Sequence, residues 1–311
     1  MLSEPRAPDG NTRVPNCARR GRGGKLQARP SHRSPREHSP ATDDFRSPPR
    51  FYPVAGPAGR QGPPPSDQEI IMNIANKIVL ITGANRGIGR ALLEEALKRG
   101  AQKVYAGTRG RLEHPDPRVT SLTLDVTNAA QIERAVSEID ALDLLINNAG
   151  IALYDDLSQP ELIAQHLAVN LFGSLNVTRA FLPLLKRSHG AIVNNISTVA
   201  LAALPIIPGY SISKAAALSM TQSLRALLAG QGVRVHALLT GPVDTDMTRG
   251  IDYPKASPAS AAAAILDGVE RDEEEIFPDP LSQSIAEDWR HGAAKALERQ
   301  SAGFLPQSVA L

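Results

Sequence analysis

The 311-residue sequence predicts an α/β fold in which one doubly wound parallel sheet of about seven strands is covered by helices on both faces. Two observations carry that reading. After residue 72, short apolar runs of strand length alternate with longer segments at helical spacing. The runs are also nearly continuous in Val, Ile and Leu, as strands buried on both faces must be. Composition closes off other classes. With 42% apolar and 21% charged residues the chain is neither collagen-like nor wholly disordered, and the single cysteine, Cys17, excludes an internal disulfide or a cysteine-built metal cage.

The strand runs fall at 78–81, 103–106, 119–124, 142–146, 191–196 and 233–239, with a weak seventh at 275–277. Helical spacing fills 87–99, 129–139, 160–186, 210–229 and 257–269. One link departs from the alternation. His114-Pro115-Asp116-Pro117 leaves little room for a crossover helix between 109 and 117, so a short irregular connection is expected there. No repeat of 20–50 residues is evident. Length and pattern suggest one domain over 72–287 and a C-terminal tail over 288–311 of uncertain order, which holds the one tryptophan, Trp289.

Residues 1–71 are a different kind of text. Positions 1–65 contain twelve Lys and Arg against five Asp and Glu, a surplus of seven in a chain whose net charge is +2, and 13 of the 25 prolines. Such a stretch buries too little to offset an ordering entropy of roughly 1–2 kcal/mol per residue, so a disordered Arg/Pro-rich extension is expected. The reading preferred here is that translation starts at Met72, because eleven of the twelve basic residues are Arg, as when GC-rich non-coding DNA is read through. A plain solvated tail comes next. A nucleic-acid arm built on Arg19, Arg20, Arg22 and Lys25 is disfavoured, and the acidic residues argue against a transit segment.

Chemistry concentrates after the strand runs. The first ends in Thr82-Gly83-Ala84-Asn85-Arg86-Gly87-Ile88-Gly89 and leads straight into a helix. Glycines there let the chain turn tightly and offer backbone N–H groups to a pyrophosphate, and strand-before, helix-after is the context that marks a dinucleotide site. The second run ends in Ala106-Gly107-Thr108-Arg109, with no acid before Glu113. An acid at this point binds a ribose 2′-hydroxyl, whereas an Arg accommodates a 2′-phosphate. Arg109 and Arg86 therefore favour NADP over NAD. Farther on, Tyr210 and Lys214 stand at i and i+4 on one helix face, thirteen residues after Ser197 at the end of the fifth run. A nearby ammonium stabilises a phenolate, and a serine hydroxyl can bond an oxygen on which charge develops.

These motifs resemble the classical short-chain dehydrogenase/reductase family over residues 77–279. The resemblance rests on the glycine turn, Asp125-Val126, Asn147-Asn148-Ala149-Gly150, Asn170, Ser197, and Tyr210 with Lys214. It implies a single Rossmann-like domain in which Asp125 meets the adenine and Asn147, Ala149 and Gly150 line the cofactor cleft with Val126 nearby. It further implies that Tyr210 is the general acid–base, that Lys214 holds the nicotinamide ribose and lowers the tyrosine pKa, and that Ser197 orients the substrate carbonyl. Asn170 would hold a water that carries protons to solvent. Where the family shows Pro-Gly after the sixth strand, this chain has Thr240-Gly241-Pro242-Val243-Asp244-Thr245. Gly241 and Thr245 still match, with Thr245 expected to bind the carboxamide and Val243 to line the cofactor beside it.

The expected function is an NADP-dependent oxidoreductase reducing a small or medium, uncharged hydrophobic ketone or aldehyde. The apolar segment from Val199 to Ile207 supports that substrate class, with 151–154 and 247–249 as further contacts. An oxidative secondary-alcohol dehydrogenase is the alternative, and a nucleotide sensor with a nucleic-acid-binding tail is a rival from another class. Few residues separate Thr245 from the helical stretch at 257, so any lid is short. The family resemblance implies a homodimer or homotetramer. No uninterrupted apolar run reaches about 18 residues, so no membrane partner and a cytoplasmic location are expected.

Overall fold

The computed structural model describes residues 72–250 and 252–304. The extension expected over 1–71, with its basic cluster and Cys17, lies outside the described residues, as does the end of the tail from 305 onward.

Seven strands form one sheet: β1 (Ile78–Thr82), β2 (Lys103–Thr108), β3 (Val119–Thr123), β4 (Leu144–Asn147), β5 (Ala191–Asn195), β6 (Arg234–Leu238) and β7 (Glu275–Ile276). Their order is β3-β2-β1-β4-β5-β6-β7 and every pairing is parallel. All carboxyl ends therefore share one edge. The order reverses between β1 and β4, which leaves a crevice at that edge, the place where open α/β sheets bind ligands.

Period-two alternation assigns the two faces. Val79 and Ile81 of β1 point into a core shared with Leu92, Leu93 and Ala96 of α1 (Gly87–Lys98) and with Ile265, Leu266 and Val269 of a later helix, Pro258–Glu270. Leu80 points the other way. It meets Ile132 of α2 (Ala129–Ser137), Val177 and Phe181 of a helix at Ser174–Ser188, and Leu224 and Leu228 of one at Pro208–Ala229. In chain order α3 is Pro160–His166, α4 is Ser174–Ser188, α5 is Pro208–Ala229 and α6 is Pro258–Glu270. As expected, no helix crosses between β2 and β3. Asp116 and Arg118 instead brace the irregular link, Arg118 reaching the carbonyls of Leu97 and Ala101.

Two helices depart from the sequence reading. The single helix expected over 160–186 is α3 and α4 joined by a π-helical stretch, Leu167–Gly173. A π turn holds more residues than an α turn and shifts side-chain registry, and here it turns Asn170 inward to full burial. The segment Pro160–Ser188 is long enough to cross a membrane, and 18 consecutive residues within it reach a mean hydropathy of 1.2. In this fold its apolar stripe, Val177, Phe181 and Leu185, is buried against the sheet. The second departure is α5, which begins at Pro208, a residue suited to the first helical position because it has no N–H to leave unpaired. Tyr210 thus sits in the first turn.

After α7 (Pro280–Ser284), the described part of the tail expected over 288–311 is largely helical, holding the end of α8 (Ala286–His291) and α9 (Ala293–Ser301). Trp289 packs against the cluster of Ile196 and Phe277. Lys295 of α9 is 1% exposed, and its Nζ reaches Glu275 Oε1 at 2.8 Å, Glu274 Oε2 at 2.8 Å and Glu298 Oε2 at 3.1 Å. Arg225 of α5 joins Glu275 at 2.9 Å and also pairs with Glu298. Removing Lys295 leaves the buried Glu275 and Glu298 to share Arg225, a surplus of buried negative charge that costs more than the intact pairing contributes. Lys295→Ala is expected to destabilise by on the order of 3 kcal/mol, read as a lower urea midpoint with α9 the first segment to exchange its amides.

Candidate active site

The site is built at the β1/β4 crevice. Thr82 ends β1, and its Oγ1 accepts from the backbone N–H groups of Asn148 and Ala149, each at 3.0 Å. The Asn148 amide reaches the carbonyls of Thr82 and Gly83 at 3.0 and 3.3 Å. The glycine turn is thereby pinned to the segment after β4. Gly83 has φ +68° and Gly87 φ +54°, conformations that favour glycine. Gly89 is fixed by packing, since a Cβ there would lie 2.2 Å from the Gly83 carbonyl oxygen. Asn85 and Arg86 are exposed and Ile88 is half-buried against the α1 face. The first turn of α1 has neither a side-chain cap nor an acidic residue. Its N–H groups and dipole suit an anionic group, so the residues present fit a dinucleotide pyrophosphate.

Arg109 follows β2 and is exposed, close enough to Asp125 for its charge to help hold that carboxyl low. Hydrogen bonds from Thr127 contribute most to the lowering, with Asp125 Oδ1 accepting from Thr127 Oγ1 at 2.7 Å. Arg86 turns toward the loop after β6 and meets Asp246 at 3.4 Å, where Arg249 also pairs. A cavity of about 690 Å³ opens there, lined by Gly87, Arg90, Thr245, Arg249 and Lys255 among others. It borders the glycine turn but not the tyrosine.

Three expected cleft residues face elsewhere. Asn147 is 3% exposed, and its amide donates to Thr178 Oγ1 and Asn194 Oδ1, both at 2.9 Å. It points into the interior because strand alternation gives the opposite face to Asn148, which holds the glycine turn. Val126 packs beneath Gly173, and Val243 is buried in a bridge to Ala256. Gly150 leaves room for its neighbours, since a Cβ there would lie 3.2 Å from Asn170 Oδ1 and 3.8 Å from Lys214 Nζ.

Ser197, Tyr210 and Lys214 do come together. Ser197 Oγ donates to the Thr240 carbonyl at 3.1 Å and stands near enough to the Tyr210 hydroxyl to draw its pKa down a little. Lys214 is 5% exposed, with Nζ 5.6 Å from the Tyr210 ring centre and 2.6 Å from the Asn195 carbonyl oxygen. Burial dominates both titrations. It pushes the Tyr210 phenol up to about 12, against a smaller opposing effect of Ser197, and brings the Lys214 ammonium down to about 8. The sequence reading had the ammonium lowering the phenol. In the structure, loss of hydration sets the direction of the phenol, opposed only by Ser197.

Asn170, expected to hold a water, has its amide engaged by protein. Oδ1 accepts from Ile151 N at 2.9 Å, while Nδ2 donates to Ile151 O at 3.0 Å and Ser213 Oγ at 2.9 Å. Thr240, the departure from the family pattern, donates to Asn195 Oδ1 at 3.2 Å, and Asn195 donates to Asn148 Oδ1 at 3.0 Å. Proline has no side chain for that link. Gly241 lets Asp279 Oδ2 accept its N–H at 2.7 Å. Thr245 packs against Gly87 and caps the short 3₁₀ turn Asp246–Thr248. Val199 and Ile207 are half-buried, while Tyr154, Leu204, Ile206 and Met247 are exposed apolar side chains on the three expected substrate segments. Asn195, Asp155 and His166 went unnoticed in the sequence, and Asn148 stood only within its motif, with no role of its own. Only Asn148 carried a signal, as the second residue of the Asn-Asn-Ala-Gly motif.

The short chain dehydrogenase family model matches residues 77–255. The chain belongs to the short-chain dehydrogenase family. It is an oxidoreductase of the classical branch. Dehydrogenase/reductase SDR family protein 7-like of Anopheles gambiae is 30% identical over 260 residues, 72% of this chain and 82% of that protein. The 11-beta-hydroxysteroid dehydrogenase 1A of Arabidopsis thaliana is 31% identical over 233 residues, 63% of this chain, which spans 66% of that relative's length. The crystal structure of a short chain dehydrogenase from Burkholderia cenocepacia in complex with NADP superposes with a TM-score of 0.68 at 41% identity, covering 76% of this chain and 100% of that one.

Lys214 ties stability to pH. Its ordinary value is 10.5 and its folded value about 8, so between those pH values the unfolded chain holds a proton that the folded chain has released. Stability from this group therefore rises with pH across that window. The urea-unfolding free energy of the wild type minus that of Lys214→Met is expected to increase from pH 7 to pH 10, by up to about 1.4 kcal/mol per pH unit.

Proposed function

We propose that this dehydrogenase is an NADP-dependent carbonyl reductase acting on a small or medium, uncharged, hydrophobic ketone or aldehyde. The observation that carries the reading is the gathering of Ser197, Tyr210 and Lys214, with Lys214 buried beside the tyrosine ring, on the sheet edge that holds the glycine turn.

A bound nicotinamide cofactor supplies the hydride for such a reduction. The chain's own residues do the rest. The glycine turn and the start of α1 bind the pyrophosphate through backbone N–H groups, and Asp125 stands by the adenine end. Gly150, Lys214 and Thr245 would hold the nicotinamide end. Ser197 orients the carbonyl oxygen. Tyr210, whose burial keeps the phenol protonated at neutral pH, donates its proton to that oxygen as negative charge develops there. A phenol held neutral is ready to act as an acid, which favours reduction. The oxidative direction first requires its ionisation and is the second reading, favoured only if a bound cofactor reverses the upward shift.

The NADP preference rests on Arg109, an exposed guanidinium just after β2, since Arg86 is turned away to Asp246 in this structure. The Burkholderia relative was solved with NADP, which supports the same choice. The apolar substrate class is supported by Leu204, Ile206, Tyr154 and Met247, and one relative is named as a hydroxysteroid dehydrogenase. Phe172 and Ile212, exposed on the helical layer of α4 and α5, support pairing of subunits through that layer.

Purified protein mixed with NADPH or NADH and a panel of apolar ketones and aldehydes tests the reading through loss of reduced-cofactor absorbance; no loss with any pair would reject it. Tyr210→Phe is expected to reduce kcat by about 10²–10⁴-fold while cofactor binding by fluorescence stays within a few-fold. Arg109→Ala is expected to weaken NADPH by about 10–100-fold and leave NADH nearly unchanged. Equal losses for both cofactors would refute the role of Arg109.

A further inference from the structure

The loop after β4 and the first turn of α5 are fastened together by side chains that the chemistry above does not use. Asp155, half-buried in that loop, accepts the backbone N–H of Gly209 on both carboxylate oxygens, at 3.2 and 3.1 Å. Gly209 is the second residue of α5, whose N-cap Ile207 supplies no side-chain cap. The cap thus comes from 54 residues upstream. A carboxylate at this position satisfies an orphan N–H and complements the helix dipole.

His166 closes the same junction from α3. It is fully buried, and its Nε2 accepts the Leu153 N–H at 2.9 Å. A nitrogen that accepts an N–H carries no proton of its own, so the ring is neutral, and burial holds its pKa below the ordinary imidazole range. The ring meets Tyr210 edge to face, with centres 6.2 Å apart and planes at 62°. Gly209 makes the junction possible. A Cβ there would stand 2.9 Å from Asp155 Oδ2 and 3.1 Å from His166 Nδ1.

We propose that Asp155 and His166 are positioning residues that clamp the substrate-facing loop 151–155 onto the first turn of α5, so that the loop and the Tyr210 ring are placed as one unit. The inference rests on the reading of Tyr210 as the acid–base group, and it adds a means by which substrate contacts and the proton donor share one register. Asp155 acts on the backbone of Gly209 and His166 on the backbone of Leu153, so each needs an acceptor atom at its place more than a charge or a ring.

Four variants of the full chain separate acceptor from bulk. Asp155→Ala and His166→Phe remove the acceptor, while Asp155→Asn and His166→Gln keep one. Amide exchange followed by mass spectrometry should show faster exchange confined to 151–157 and 207–212 in the first two, with near wild-type protection in the second two. With NADPH and phenanthrenequinone, kcat should fall by about 10–100-fold in Asp155→Ala and His166→Phe, and stay within a few-fold of wild type in the other pair. Nitration of Tyr210 by tetranitromethane, mapped by mass spectrometry, reads ring placement without turnover and should be faster only in the first pair. The clamp is wrong if His166→Phe matches His166→Gln in exchange and nitration, or if exchange rises with kcat and nitration unchanged. A wild-type protein that fails to turn over the quinone would count against the carbonyl-reductase reading, whereas the exchange and nitration results would still decide the clamp.

Discussion

The site depends on one hydroxyl at the end of the first strand. Thr82 Oγ1 accepts two successive N–H groups from the segment after β4 and itself lies 3.4 Å from the Ile146 carbonyl. In a parallel sheet these strand ends are neighbours in space but more than sixty residues apart in sequence. Each net hydrogen bond contributes only about 1 kcal/mol. Their importance is geometric, because buried N–H groups left unpaired cost more than that and so hold the two segments in one register. From Asn148 the linkage continues through Asn195 to Thr240, and Lys214 bonds the Asn195 carbonyl. The cofactor turn, the lysine and the loop after β6 are therefore parts of one polar network.

Burial of that network explains the opposed titrations. Loss of hydration disfavours whichever form is charged, so a phenol and an ammonium placed side by side move in opposite directions, up for Tyr210 and down for Lys214. Each effect favours the neutral form, yet with its value near 8 Lys214 still carries most of its charge at neutral pH, beside a protonated Tyr210. The attraction between phenolate and ammonium grows as the local dielectric falls, but an exchange of proton between them must first overcome both desolvation costs.

The sheet was legible because strands buried on both faces leave continuous Val, Ile and Leu runs, and all seven were bounded within about two residues. The motifs at strand ends were equally legible, since glycine turns and a Tyr-x-x-x-Lys helix are local in sequence. What escaped was non-local. Whether Asn147 or Asn148 faces the crevice depends on the phase of a four-residue strand, and neighbouring identical residues give no hint of it. The π turn that buries Asn170 depends on how a long helix fits the layer beneath it, which helical spacing alone does not encode. His166 and Asp155 read as ordinary loop and helix polar residues, because their partners are backbone N–H groups whose positions exist only after folding.

Ser197 shows how such positioning translates into selective stabilisation. Its hydroxyl has one proton, directed to the Thr240 carbonyl, which also accepts the Thr198 N–H at 2.9 Å. On the proposed reading, the proton must swing from that carbonyl to a substrate oxygen. The bond given up is neutral, contributing about 0.5–1.5 kcal/mol, and the carbonyl left behind keeps a partner. Against an uncharged ketone the exchange is nearly even. Against an oxygen gaining negative charge the new bond is worth roughly 1.5–3 kcal/mol, so the swing becomes favourable as the reaction proceeds. Thr240 thus gives Ser197 a resting acceptor whose competition is strongest before charge develops and weakest after it, which is the differential that lowers a barrier instead of merely tightening substrate binding.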